Sequence, residues 1–164
     1  MIKTSKRNGS SLQTALYYVR LTTHNGGPLF GQSDASIDSP NSQTPLATTP
    51  LATIVADELL QLTGRHHGVV VDQWVLLPNA LHALMSLEEV RHSLEPKAKG
   101  KPRLLTSFVA ELKAVTAKRI NLVRNQPGSS VWRRSYNEQL VEDEIMLARL
   151  RKRLNEAESI VLAG

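Results

Sequence analysis

The sequence predicts an α+β fold, an antiparallel sheet with helices packed mainly on one face, and three observations predict it. Apolar residues recur at helical spacing in some stretches and as β-branched or alternating runs in others. Turn-forming pairs separate these stretches. The resulting order is strand, helix, strand, strand, helix, strand, helix.

Residues 1–15 are polar and basic and are expected to form a flexible N-terminal tail. Leu16 to Thr23 (LYYVRLTT) is aromatic and β-branched, a strand, and His24-Asn25-Gly26-Gly27-Pro28 turns the chain after it. From Ser33 to Pro50 the composition shifts to Ser, Thr, Pro, Asp and Asn, and a tandem pair, TPLAT from Thr44 and again from Thr49, reads as a duplication inside a loop insert at 33–50. Ile54 to Leu62 has helical spacing with Thr63-Gly64 as its stop. Val69 to Leu77, the Pro78-Asn79 turn and Leu81 to Leu87 make a hairpin. Pro96 to Pro102 (PKAKGKP) is a basic loop. Leu104 to Val123 is the longest helical pattern, ended by Arg124-Asn125-Gln126-Pro127-Gly128. Val131 to Arg134 reads as a short last strand and Glu142 to Glu158 as a final helix, with 159–164 as a tail. One domain over 16–158 of the ferredoxin-like (RRM-like) kind is therefore expected.

Lys and Arg number 20 against 15 Asp and Glu, a formal net charge of +5. The excess is local: Lys97, Lys99, Lys101, Arg103, Lys113, Lys118, Arg119, Arg124, Arg133 and Arg134 face one acid, Glu111, in the same span. Such a surplus suits a polyanion such as nucleic acid, and equally a solvated helix face. The absence of cysteine excludes disulfides and thiolate metal sites. No apolar run reaches the ~18 residues of a membrane span, and the N-terminus lacks the apolar core of a signal peptide, so a cytoplasmic protein without membrane association is expected.

Common enzyme signatures are missing. No Gly-x-Ser-x-Gly elbow presents a nucleophile, and Gly26-Gly27 runs into Pro28 rather than a phosphate-cradling helix. His66 and His67 are adjacent, so on a strand they would point to opposite faces. His24 and His92 have no partner at useful spacing. His82 sits alone in Leu77-Pro78-Asn79-Ala80-Leu81-His82, where it reads either as a half-buried imidazole or as one half of a metal pair.

Five segments carry a resemblance. Tyr17 to Gly31 (YYVRLTTHNGGPLFG), Ile54 to Glu58 (IVADE), Asp72 to His82 (DQWVLLPNALH), Ser107 to Asn125 (SFVAELKAVTAKRINLVRN) and Pro127 to Glu138 (PGSSVWRRSYNE) occur in order and approximate spacing. Together they resemble the single-tyrosine HUH transposases, especially the REP-associated tyrosine transposases, over most of the chain apart from the insert. In that family the strand after the turn reads Met-Pro-Asn-His-x-His, and histidines at i and i+2 share a strand face and hold one divalent cation against a DNA phosphate. Here the first is Ala80 and the second is His82. The family's nucleophile is a tyrosine on the final helix. The resemblance puts that position at Arg153 and the polar residue one turn later, which completes the metal shell, at Ala157.

An alanine cannot ligate a metal, and an arginine is a permanent cation that cannot attack a phosphate. The resemblance therefore implies a transposase-like protein with degenerate catalytic positions at Ala80, His82, Arg153 and Ala157, using no cofactor where the family uses a divalent metal. The expected function is binding of single-stranded or hairpin DNA without cleavage. Arg103, Lys113, Lys118, Arg119, Arg124, Arg133, Arg134 and Arg153 would grip phosphates, and Trp132 would either stack on an unpaired base or belong to the core. A protein-binding adaptor that reuses the fold is the alternative, and the resembled family forms dimers, so a homodimer is a further expectation. Retained strand transfer is a third reading, with Tyr136 as the nearby tyrosine to replace the nucleophile.

Overall fold

The computed structural model describes residues 2–7, 10–31, 49–91 and 102–163. Most of the insert, most of the Pro96 to Pro102 loop with its three lysines, and His92 lie outside the described residues.

The longest strand, β2 (Ser10–Thr22), organises the sheet. Along one side it pairs with β4 (Ala80–Arg91); along the other it pairs in succession with β1 (Ile2–Arg7) and β5 (Asn137–Leu140). β3 (Val69–Leu77) closes the far edge through its hairpin with β4, and all pairings are antiparallel. The α+β class expected from the element order is what forms, with a first strand added.

That added strand corrects the flexible tail expected over residues 1–15. Ile2 pairs with Ala15 and Arg7 with Ser10, antiparallel at the sheet edge. Backbone pairing does not need the apolar alternation by which strands were sought.

Alternation divides the strand side chains between two cores. Val19 and Leu21 of β2 and Leu81, Ala83, Met85 and Leu87 of β4 face the first core. Leu16 and Tyr18 of β2 and Leu84 of β4 face the second. In β3 the parity changes. Val69 and Val71 face the first core, but so do Trp74 and Leu76, because a bulge at Asp72 lies between Val71 and Gln73.

The first face is covered by α1 (Pro50–Arg65) and α2 (Arg103–Val123), the second by α3 (Glu144–Ala163). Two side-chain ties show that α1 and α2 run antiparallel: His66 Nε2 meets Glu111 Oε2 at 2.5 Å, and Arg119 Nη1 meets Glu58 Oε1 at 2.8 Å. The start of α1 corrects the insert boundary. Thr49 is its N-cap, accepting from the Ala52 amide at 3.2 Å, and Pro50 opens the first turn. The second TPLAT copy is therefore the head of a helix rather than loop.

Gly64, expected as a stop, lies within α1, and the chain turns instead at Gly68. There φ is +86°, and a Cβ would come within 3.3 Å of the Glu88 carbonyl. The last strand also shifts. Trp132 makes only an isolated bridge to Thr23, and β5 begins at Asn137, because Val131 and Trp132 send their side chains into the first core. The final helix runs on to Ala163, through most of the expected C-terminal tail.

Candidate nucleic-acid interface

The second face of the sheet brings four polar side chains together. Arg20 and His82 are direct partners across β2 and β4. Tyr18 lies two residues before Arg20 on the same face. α3 passes above and places Arg153 beside Tyr18.

Burial of Leu147, Leu150 and Leu154 against the second core seats α3. Its lateral position is set by polar ties to the β3 bulge: Arg151 Nη2 to Asp72 Oδ2 at 2.6 Å, and Gln73 Nε2 to Asn155 Oδ1 at 2.6 Å. The bulge thus anchors the helix that carries Arg153.

The Tyr18 hydroxyl bonds to His82 Nδ1, and the charge of Arg153 acts on it from α3. The two rings meet edge-on, 5.7 Å between centroids. The positive charge of Arg153 favours the phenol oxygen turned toward it and the phenol proton turned toward Nδ1 of His82. That tautomer leaves the ring proton on Nε2.

Electrostatics support a neutral imidazole. Burial, then the charges of Arg20 and Arg153, push the His82 pKa down to about 4. Burial pushes the Tyr18 hydroxyl above its ordinary value, against the opposing pull of Arg153 and Arg20. A neutral imidazole thus faces a phenol that burial holds in its protonated form.

A divalent metal does not fit this donor set. Ala80, two residues before His82, is buried and carries no ligand atom; Ala157 packs against the second core. His82 Nδ1 is taken by Tyr18, and two guanidinium groups stand beside the ring. Among the described residues no three His, Cys, Asp or Glu side chains gather to hold a metal.

Tyr136 lies elsewhere. It packs against the first core, on the α2 side of the sheet, with its hydroxyl 3.2 Å from Thr106 Oγ1. Burial leads the causes that raise its pKa. It is thus separated by the sheet from His82 and Arg153.

The remaining basic residues divide into two groups. Lys113 points its ammonium at the carbonyls of Arg133, Arg134 and Ser135, at 2.7, 3.1 and 3.2 Å. Arg119 pairs with Glu58 and, at 3.8 Å, with Asp57. Arg124 donates to Asn121 Oδ1 at 2.9 Å and to the Ser130 carbonyl at 3.3 Å. These three tie separate parts of the fold together.

Arg103, Lys118, Arg133, Arg134 and Arg153 are exposed. Arg133 and Arg134 line a shallow cleft of ≈ 630 Å³ with His24, Asn25, Ser130 and the edge of Trp132. Asn25 and Gly26 adopt positive φ at its rim, and a Cβ on Gly26 would sit 3.3 Å from the Arg133 guanidinium.

Of the two readings of Trp132, the structure gives it to the core. It is 7% exposed, tilts against Phe30 at 5.4 Å, and donates Nε1–H to Thr116 Oγ1 at 2.9 Å. Sequence reasoning missed Tyr18 and Arg20, although a cation two residues from an aromatic inside an apolar strand was a visible signal.

No protein-family model matches the chain, and no curated protein matches it. Among solved structures, a candidate transposase of Deinococcus radiodurans R1 is similar at 15% identity and a TM-score of 0.47, over 88% of this chain and 91% of that one. A REP-associated tyrosine transposase bound to a REP hairpin is similar at 12% identity and a TM-score of 0.46, over 86% of this chain and 62% of that one.

Proposed function

We propose that the chain binds single-stranded or hairpin DNA and does not cut it. The observation that carries this reading is the meeting of Arg153 and Arg20 at Tyr18 and His82. Two fixed cations stand where the resemblance puts a metal and a nucleophile. Charge-assisted donors of this kind bind a phosphate and supply nothing that breaks its ester bond. Arg103, Lys118, Arg133 and Arg134 extend the cationic surface in this reading.

Fluorescence anisotropy with a hairpin oligonucleotide over a salt series tests the binding. Affinity is expected at ~50 mM salt and should fall steeply by ~200 mM, as released counterions require. No binding at the lower salt, or a flat dependence, overturns it. Incubation of the same DNA with Mg²⁺ or Mn²⁺ and denaturing electrophoresis should show neither cleavage nor a covalent adduct. A stoichiometric protein partner that survives nuclease treatment in a pull-down would favour the adaptor reading instead.

A further inference from the structure

We propose that Arg20, Arg153 and the Nε2–H of His82 form a subsite for a terminal phosphate monoester on a DNA strand. The inference rests on the DNA-binding reading and narrows it to one chemical group.

Three features of the cluster carry it. The first is span. Arg20 and His82 are direct cross-strand partners, and such pairs hold their Cβ atoms about 5 Å apart, so both heads can reach one small anion. Arg153 approaches the same place from α3, where its charge acts on both Tyr18 and His82.

The second is donor sign. Tyr18 engages Nδ1 of His82, which leaves Nε2 and the two exposed guanidinium groups of Arg20 and Arg153 as donors for an anion. Among the described residues no carboxylate acts on Tyr18 or His82; their charged neighbours are these arginines. The nearby acids are engaged elsewhere: Asp72 with Arg151, and Glu156 with Lys152 at 3.9 Å.

The third is charge count. Two arginines with a neutral imidazole present two positive charges. A phosphodiester carries one negative charge and leaves a cation unmatched. A monoester carries close to two at neutral pH and matches both.

Anisotropy with one hairpin sequence bearing a 5′-hydroxyl, a 5′-phosphate or a 3′-phosphate tests the subsite. One phosphorylated terminus is expected to bind about tenfold tighter than the hydroxyl form, with inorganic phosphate competing for the difference. Arg20→Gln and Arg153→Gln should each bring that ratio close to one. Lys118→Gln should weaken all three hairpins alike and keep the ratio.

Equal affinity for the three hairpins overturns the subsite and leaves DNA binding standing. A shift of the His82 ring resonances on adding inorganic phosphate, without binding of any hairpin, sustains the subsite and overturns the DNA reading. Neither hairpin binding nor a His82 shift overturns both.

Discussion

His82 shows how far a side chain's chemistry depends on its neighbours. Burial and two arginines hold its pKa near 4, against an ordinary value of 6.5. The ring is therefore neutral in the fold at a pH where the unfolded chain would already bind a proton. Stability from the neutral ring is fully present above pH 6.5 and is lost as pH falls toward 4. Urea unfolding at intervals across that window should show a steeper loss for the native chain than for His82→Gln. Proton NMR of the ring should give a midpoint near 4 that rises in Arg20→Gln and in Arg153→Gln. A midpoint that stays put in both variants would remove the arginines from the account. Trp132 supplies a second test. Trp132→Phe keeps most of the packing but loses the bond to Thr116, which should cost about 1 kcal/mol in urea unfolding. The folded variant should bind DNA as the native chain does, because the ring lies in the core. Of the two, the identity of Trp132 was legible in the sequence and its burial was not, since aromatic residues serve cores and base stacks alike.

The helices are held by unlike means, and substitutions should separate them. α1 and α2 share the Arg119–Glu58 pair, in which the carboxylate side is 9% exposed and the guanidinium 40%. Arg119→Ala leaves that carboxylate without its cation and should cost about 2 kcal/mol, below the range for a fully buried pair because one partner is open to water. Adding Glu58→Gln to that variant should recover part of the loss. α3 depends more on apolar contact. Leu154 is 1% exposed in the second core, and Leu154→Ala should cost about 3 kcal/mol by chemical denaturation. Breaking the more exposed Asp72–Arg151 tie with Asp72→Asn should cost less than about 1 kcal/mol. Its larger effect should fall on the helix's lateral position, and hence on Arg153. Helical periodicity made all three helices legible. Their ends were less so: the cap at Thr49 hid inside a repeat, and Gly64 marked a stop that the helix passes through because packing outweighs its low propensity.

At the scale of the whole molecule, the sheet separates two cores, with α1 and α2 over one and α3 over the other. The polar cluster lies on the α3 side and Tyr136 on the α2 side, so a single layer of strands keeps the two tyrosines apart. A chain ending at Glu142 would uncover Leu16, Tyr18, Val75 and Leu84, and should bind an apolar-sensing dye and lose cooperative unfolding. If the shortened chain unfolds as sharply as the native one, α3 is not a covering element. The sequence by itself determined the three helices, the strands from Leu16 and through the Pro78-Asn79 hairpin, and the basic excess. These are properties of single residues or of local periodicity, which a linear reading can follow. Only the tertiary structure decided that Arg20 opposes His82 and that Arg153 reaches Tyr18. It also decided that Lys113, Arg119 and Arg124 bond to other parts of the fold. Strand register, a one-residue bulge and the seating of a helix across a sheet set those distances, and each joins residues far apart in sequence.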